Sequence, residues 1–221
     1  MSDTLAARLE AHRTWLRTSG ADGARLALGS DASASDLAGA DLRGADLASA
    51  DLFGVDLQRA DLRGADLSGA LLAGADLRGA DLSRARLGKA DLSGVCAVGA
   101  RLHRTWLVRT DLTGADLTET DLSGSYLVRT DLGGADLRGA DLSGADLHAV
   151  LVDASTWGAT TVRGAAGTVG PVDGVVDLTA DGATVQRTVP ELVVLLATDG
   201  ATLATVPDDP GPPPAWRGSI A

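Results

Sequence analysis

Aromatic residues are scarce in this chain: Phe, Trp and Tyr together make up 3% of 221 residues, while glycine occurs 28 times. Such material fills an interior with Leu, Ala and Val, which disfavours an ordinary globule packed around large side chains. Cysteine is limited to Cys96, which excludes an intramolecular disulfide framework and a multi-cysteine metal site within one chain and fits a reducing compartment. Basic residues are outnumbered, 19 against 30 acids, for a net charge of −11. Direct nucleic-acid binding is therefore not expected, because phosphate neutralisation needs a basic surface, although an acidic surface can imitate nucleic acid. Long apolar runs are also missing. The longest, Leu192 to Ala197, falls far short of the ~20 residues of a spanning helix, so no membrane partner is expected. Met1 to Glu10 lack the apolar stretch of a signal peptide, and the expected location is cytoplasmic.

What the chain has in abundance is a period of five. From Ser35 to Ala154 it reads as 24 pentads of the form ADLxG, such as Ala40-Asp41-Leu42-Arg43-Gly44, without an insertion. The central residue is Leu from Leu37 to Leu147 except at Ala97, is Val at Val152, and continues weakly through Trp157 and Val162. Five matches neither the 3.6-residue period of a helix nor the two-residue period of a strand, so the chain has to turn once per pentad. If each pentad is one side of a coil, the central Leu and the small residue two before it point inward and the other three point outward. Gly at the last position, as in Gly44 and Gly64, suits the bend.

This run resembles the pentapeptide-repeat family, whose consensus is A(D/N)LxX, over 120 of the 221 residues. The resemblance implies an all-β solenoid: a right-handed quadrilateral β-helix with four pentads per coil, hence six coils in a column ~29 Å tall. Each Leu then lies above one twenty residues earlier, so that Leu62, Leu82, Leu102, Leu122 and Leu142 form one ladder. Residues 1–34 read as an N-terminal helix and cap, the helix running from Thr4 to Thr18 with Leu5, Leu9, Trp15 and Leu16 near one face and Gly20 beyond its end. Residues 35–164 are the repeat. Residues 165–206 read as a C-terminal cap containing a short helix at about 189–199, from the capping-box spacing of Thr188 to Glu191 and the stop at Gly200. A hairpin turning at Asp199-Gly200 is the rival there. The Pro-rich residues 207–221 read as a disordered tail.

No nucleophile, base and orienting group fall together at any recognisable spacing, so neither an enzyme nor a cofactor is expected. The serines at outward positions read as solvated, and the nine-residue glycine-rich calcium pattern is absent. Cys96 reads as an inert surface thiol.

We name the four sides after their first central residues, Leu37, Leu42, Leu47 and Leu52. The Leu52 side carries Asp51, Asp91, Asp111, Asp131 and Asp153 with no base. The Leu37 side carries Asp36, Asp56, Asp76, Asp116, Asp136 and Glu119 against Arg59, Arg78 and Arg138. The Leu42 side is balanced, and the Leu47 side sets Asp46, Asp66 and Asp146 against Arg86, Lys89, Arg109 and Arg129. Asp is the consensus residue before the Leu, and stacked carboxylates in water repel by only ~0.8 kcal/mol before screening, so acidity by itself says little. The family resemblance adds that some members are DNA mimics that bind type II topoisomerases. Eight charges on the two acidic sides give one per ~3.6 Å, near the phosphate spacing of one DNA strand. A DNA mimic that binds DNA gyrase and protects it from an inhibitor is therefore the alternative function, with Asp51, Asp91, Asp111, Asp131, Asp116 and Asp136 as its acidic face. Against it, this chain has Leu almost throughout where the family's mimics also place Phe.

The leading function is a rigid, non-catalytic surface for another protein or a second copy of this chain. On the Leu47 side Arg86, Trp106 and Tyr126 replace Asp before the central Leu, with Val108, Val128, Arg109 and Arg129 beside the aromatics. Outward Trp and Tyr serve no folding need, and aromatic–Arg clusters are the composition of interface hot spots. Two other readings stand beside a binding patch: cover by a terminal segment of the same chain, and neutral variation.

Overall fold

A computed structural model describes residues 4–28, 37–157, 159–170, 175–180, 183–188 and 202–205. Parallel bridges join residues twenty apart without a break, from Asp41↔Asp61 to Asp141↔Thr161. Among the described residues of the repeat there is no helix. Four pentads complete each coil, and the central Leu and the residue two before it are buried on every side.

The backbone accounts for this regularity. The N–H of each central residue donates to a carbonyl nineteen residues on (Leu42 to Asp61, 2.8 Å), and the N–H before it to one twenty-one residues back (Asp61 to Ala40, 2.9 Å). Past the centre, Gly44 N–H donates to Arg63 (2.9 Å) and Ala45 N–H closes a β-turn onto Leu42 (3.0 Å). One N–H per pentad remains, that of the residue after the Leu. The consensus Asp accepts it: Gln58 donates to Asp56, Ser93 to Asp91, Thr113 to Asp111 and Gly133 to Asp131, at 2.9–3.0 Å. Asp therefore closes the pentad's hydrogen bonding as well as solvating the surface.

The third residue of each turn is left-handed, with φ near +62° at Gly44 and +61° at Gly94, where glycine has no Cβ to strain. Threonine at the small inward position is tolerated because its hydroxyl donates to a core carbonyl of the preceding coil, as Thr105 does to Leu82 (2.9 Å) and Thr130 to Leu107 (2.6 Å).

Helix α1 spans Leu5–Arg17; the Thr4 hydroxyl accepts from Ala7 N–H, and Thr18 lies at its C-terminal end. The helix is anchored by a residue that the apolar pattern did not single out, His12, which is fully buried and stacked on Trp15 (centroids 5.6 Å apart). Leu26 N–H donates to its Nδ1 at 2.9 Å, placing the ring proton on Nε2, which has no partner among the described residues. Leu26 and Leu28 are buried, and Ala27 bridges Asp46, so this segment covers the first rung of the Leu47 side.

Burial pulls the His12 imidazole below its ordinary pKa of 6.5, and nearby Asp41 only partly opposes it. The unfolded chain therefore binds this proton at a higher pH than the folded cap does. The cap is at full stability above about pH 6.5 and weakens as pH falls below it. The protection factor of the Leu26 amide should drop over that acid range in wild type, and His12→Asn should remove the pH dependence.

At the other end, strands β1 (Asp146–Leu151) and β2 (Ala166–Gly170) continue the parallel stack, with an irregularity between Leu147 and Val150. Strands β3 (Val175–Ala180) and β4 (Ala183–Thr188) form an antiparallel pair. Strand β5 (Thr202–Thr205) then returns to pair parallel with β2, supplying an exposed edge with a partner. The expected helix at 189–199, the turn of its rival hairpin and the expected tail at 207–221 lie outside the described residues.

Candidate protein-binding face

The side chains singled out on the Leu47 side do come together. Trp106 and Tyr126 bridge each other on neighbouring coils, with ring centroids 5.3 Å apart and planes tilted by 41°. Val108, Val128, Arg109 and Arg129 line a shallow cavity of about 420 Å³ with Trp106, to which Lys89, Ser68 and Gly88 are added. Tyr126 is 37% exposed and Trp106 half-buried. Helix α1 packs on the first coil, where Trp15 reaches Gly44, three coils from Trp106, and among the described residues none of the N-terminal cap lines the cavity.

Backbone geometry adds what composition did not register. On this side the left-handed corner is occupied by Lys89 (φ +62°), Arg109 (+59°) and Arg129 (+58°) in three successive coils. Each L-residue there costs about 1 kcal/mol relative to Gly. Among the described residues no carboxylate lies within 4.0 Å of any of the three. The same coils replace the turn-closing Asp by Arg86, Trp106 and Tyr126, giving up an acceptor for the N–H of Gly88, Val108 and Val128. The signal was present in the sequence as three bases at glycine's pentad position, twenty residues apart.

The candidate acidic face divides in two. Asp136 is ion-paired with Arg138 at 2.5 Å, which holds its carboxyl below the usual range, and Asp76 is paired likewise with Arg78. Asp116 accepts from the backbone and hydroxyl of Thr118. Asp51, Asp91, Asp111 and Asp131 on the Leu52 side have no base within 4.0 Å among the described residues. The density of unpaired charge on the two acidic sides is thus lower than a count of acids indicates.

One polar pair has a hydrolase-like composition. His103 Nδ1 lies 2.8 Å from Ser123 Oγ, but that hydroxyl donates to Asp121, so its proton is committed to a carboxylate and the imidazole does not act on it as a base. Among the described residues no three His, Cys, Asp or Glu side chains are grouped so as to hold a metal ion, and no helix is long and apolar enough to cross a membrane.

A comparison with curated proteins found no match. Among solved structures the chain is similar to HetL, a pentapeptide repeat protein involved in heterocyst differentiation regulation in the cyanobacterium Nostoc sp. strain PCC 7120: 36% identity, 64% of this chain, 62% of HetL, TM-score 0.53. It is also similar to the pentapeptide repeat protein Rfr23 of the cyanobacterium Cyanothece 51142, with 36% identity over 43% of this chain and 61% of Rfr23 (TM-score 0.37). Similarity to QnrB1, a plasmid-mediated fluoroquinolone resistance protein, is 18% in identity over 79% of this chain and 96% of QnrB1 (TM-score 0.39). The chain spans about three fifths of the length of HetL and of Rfr23. Eight copies of the model for pentapeptide repeats match residues 33–69, 60–96, 98–134 and 115–150. With those matches over the span in which twenty-residue coils stack in parallel, the chain belongs to the pentapeptide-repeat family, whose fold is the right-handed quadrilateral β-helix.

Proposed function

We propose that this protein is a non-catalytic rigid solenoid whose Leu47 side docks another protein, with Trp106 and Tyr126 at the centre of the contact. One observation carries the reading: on that side alone, three successive coils give up both the turn-closing Asp and the unstrained corner glycine. Each departure forgoes about 1 kcal/mol of local stability. The residues gained, Trp, Tyr, Lys and Arg, are those that interface centres favour. Rigidity supports the role, because a preformed surface loses little entropy on binding.

The alternative, a DNA mimic directed at DNA gyrase, draws on Asp91, Asp111 and Asp131. Three unpaired charges in successive coils amount to about three phosphate spacings of one strand, a short footprint beside an entire aromatic–cationic side.

Trp106→Asp combined with Tyr126→Asp tests the proposal. Both changes restore the consensus acceptor, so the thermal midpoint should not fall. Binding to the protein captured by wild type should weaken by ~2 kcal/mol or more. A lowered midpoint would mean instead that the rings are covered by their own chain; unchanged stability and unchanged binding would leave only neutral variation.

A further inference from the structure

The residues least explained by folding lie on two adjacent sides of the column. Among the described residues the exposed large apolar side chains are Phe53, Leu71 and Leu151 on the Leu52 side and Tyr126 on the Leu47 side; the other two sides have none. The cations without an ion-pair partner at Lys89, Arg109 and Arg129 end the Leu47 side, and the carboxylates of Asp91, Asp111 and Asp131 begin the Leu52 side. The two ladders flank one corner, at the same height, with the same coil-to-coil rise.

We propose that the partner of the aromatic face is a second copy of this chain, its Leu52 side set against the Leu47 side of the first, and that the contact closes into a ring of four parallel columns. This rests on the docking role proposed above and names its occupant. Joining adjacent sides of a four-sided column turns each copy by a quarter, so the fourth copy meets the first and the heterologous contact closes. A closed ring permits no axial offset, and none is needed, because both ladders occupy the same three coils.

The paired features also agree in position along each face. In such a ring the corner shared by the two sides lies nearest the axis, so the cations at the inner end of one face meet the carboxylates at the inner end of the next. At the outer end, Trp106 and Tyr126 meet Thr113, Gly133 and Gly134, which together with Asp131, Leu151, Asp153 and Ala154 line a shallow cavity of about 570 Å³ that runs across the face. Glycine corners leave that face low where the neighbour's rings stand proud. Five residues per side and a column of ~29 Å limit each contact to on the order of 500 Å² per partner, which is the size of a weak, salt-labile interface.

Sedimentation equilibrium of the full chain should show a four-chain species in low salt that disperses in about 1 M salt, where charges are screened beyond ~3 Å. Asp91→Asn, Asp111→Asn and Asp131→Asn together keep an oxygen acceptor for each turn N–H. They should leave the melt unchanged and weaken association roughly a hundredfold. A chain with Lys89→Asp, Arg109→Asp and Arg129→Asp, and another with Asp91→Lys, Asp111→Lys and Asp131→Lys, should each stay monomeric and assemble only when mixed. Wild type that is monomeric at about 1 mM in low salt, or a dimer indifferent to salt, overturns the ring. A monomeric wild type whose captured partner is lost on Trp106→Asp and Tyr126→Asp overturns the ring alone and leaves the docking face standing.

Discussion

Leu102→Asp abolishes the cooperative unfolding transition of the column. Leu102 is 1% exposed in a ladder whose members at Leu62, Leu82, Leu122 and Leu142 are fully buried. The substitution removes a leucine worth about 2–5 kcal/mol by truncation and places in the gap a carboxyl group with no hydrogen-bond donor to spare. The N–H groups nearest the site are already committed to the ladder or the turn, as at Leu102 N–H to Asp121 (2.7 Å) and Thr105 N–H to Leu102 (3.1 Å). A stability of 5–15 kcal/mol, typical of a whole domain, does not absorb the combined loss. The position magnifies it: in a stack where each coil contacts only its neighbours, failure of a middle coil uncovers two edges. Circular dichroism with urea titration should find no cooperative transition, whereas Leu102→Met should keep the transition with a loss of no more than about 1.5 kcal/mol. A cooperative, wild-type-like transition in the Asp variant would refute the ladder as the source of stability.

Gly23→Ala detaches the N-terminal cap. Gly23 has φ +81°, and a Cβ there would lie 2.3 Å from the carbonyl oxygen of Ala11 and 2.7 Å from the backbone nitrogen of Trp15. Both neighbours belong to the backbone of α1, so relief requires moving the helix. Moving it breaks the Leu26 N–H to His12 bond and the Ala24 N–H to Ala11 bond, and uncovers the first rung. The column itself stays folded because its coils do not depend on α1, so the global urea midpoint should change little. Limited proteolysis should instead cleave within residues 4–28 at least tenfold faster than in wild type, and the pH dependence attributed to His12 should vanish with it. An exposed edge strand should also raise the tendency to associate end to end. Unchanged cleavage would show that the loop after α1 adapts without releasing the helix.

The first of these outcomes marks where the sequence was informative, whereas the second rests on contacts of the folded cap. A strict period of five excludes helix and flat strand, and with the four pentads per coil that the family resemblance implies, every residue's vertical neighbour is set at a distance of twenty. Burial of the leucines follows from the period of five, and the stacking of Trp106 on Tyr126 and the sorting of charge among sides follow from it once the coil holds four pentads. Helix α1 was legible too, from Thr4 and the apolar spacing that follows it.

Tertiary structure decided what periodicity does not encode. The pairing of Asp136 with Arg138, two residues on, is a contact between side chains that a count of charges per side does not show. The role of Asp as acceptor for the spare N–H depends on the direction of that bond, visible only once the other four per pentad are in place. The three bases at glycine's pentad position, Lys89, Arg109 and Arg129, are visible in the sequence, but that each holds a left-handed backbone is seen only in the dihedrals. His12 became the anchor of the cap because the chain folds back to present Leu26 N–H to it. β5 reaches β2 across an excursion that obeys no repeat. Repetition determined the column, and the non-repeating contacts that cap it and load one face were left to the packing of side chains in space.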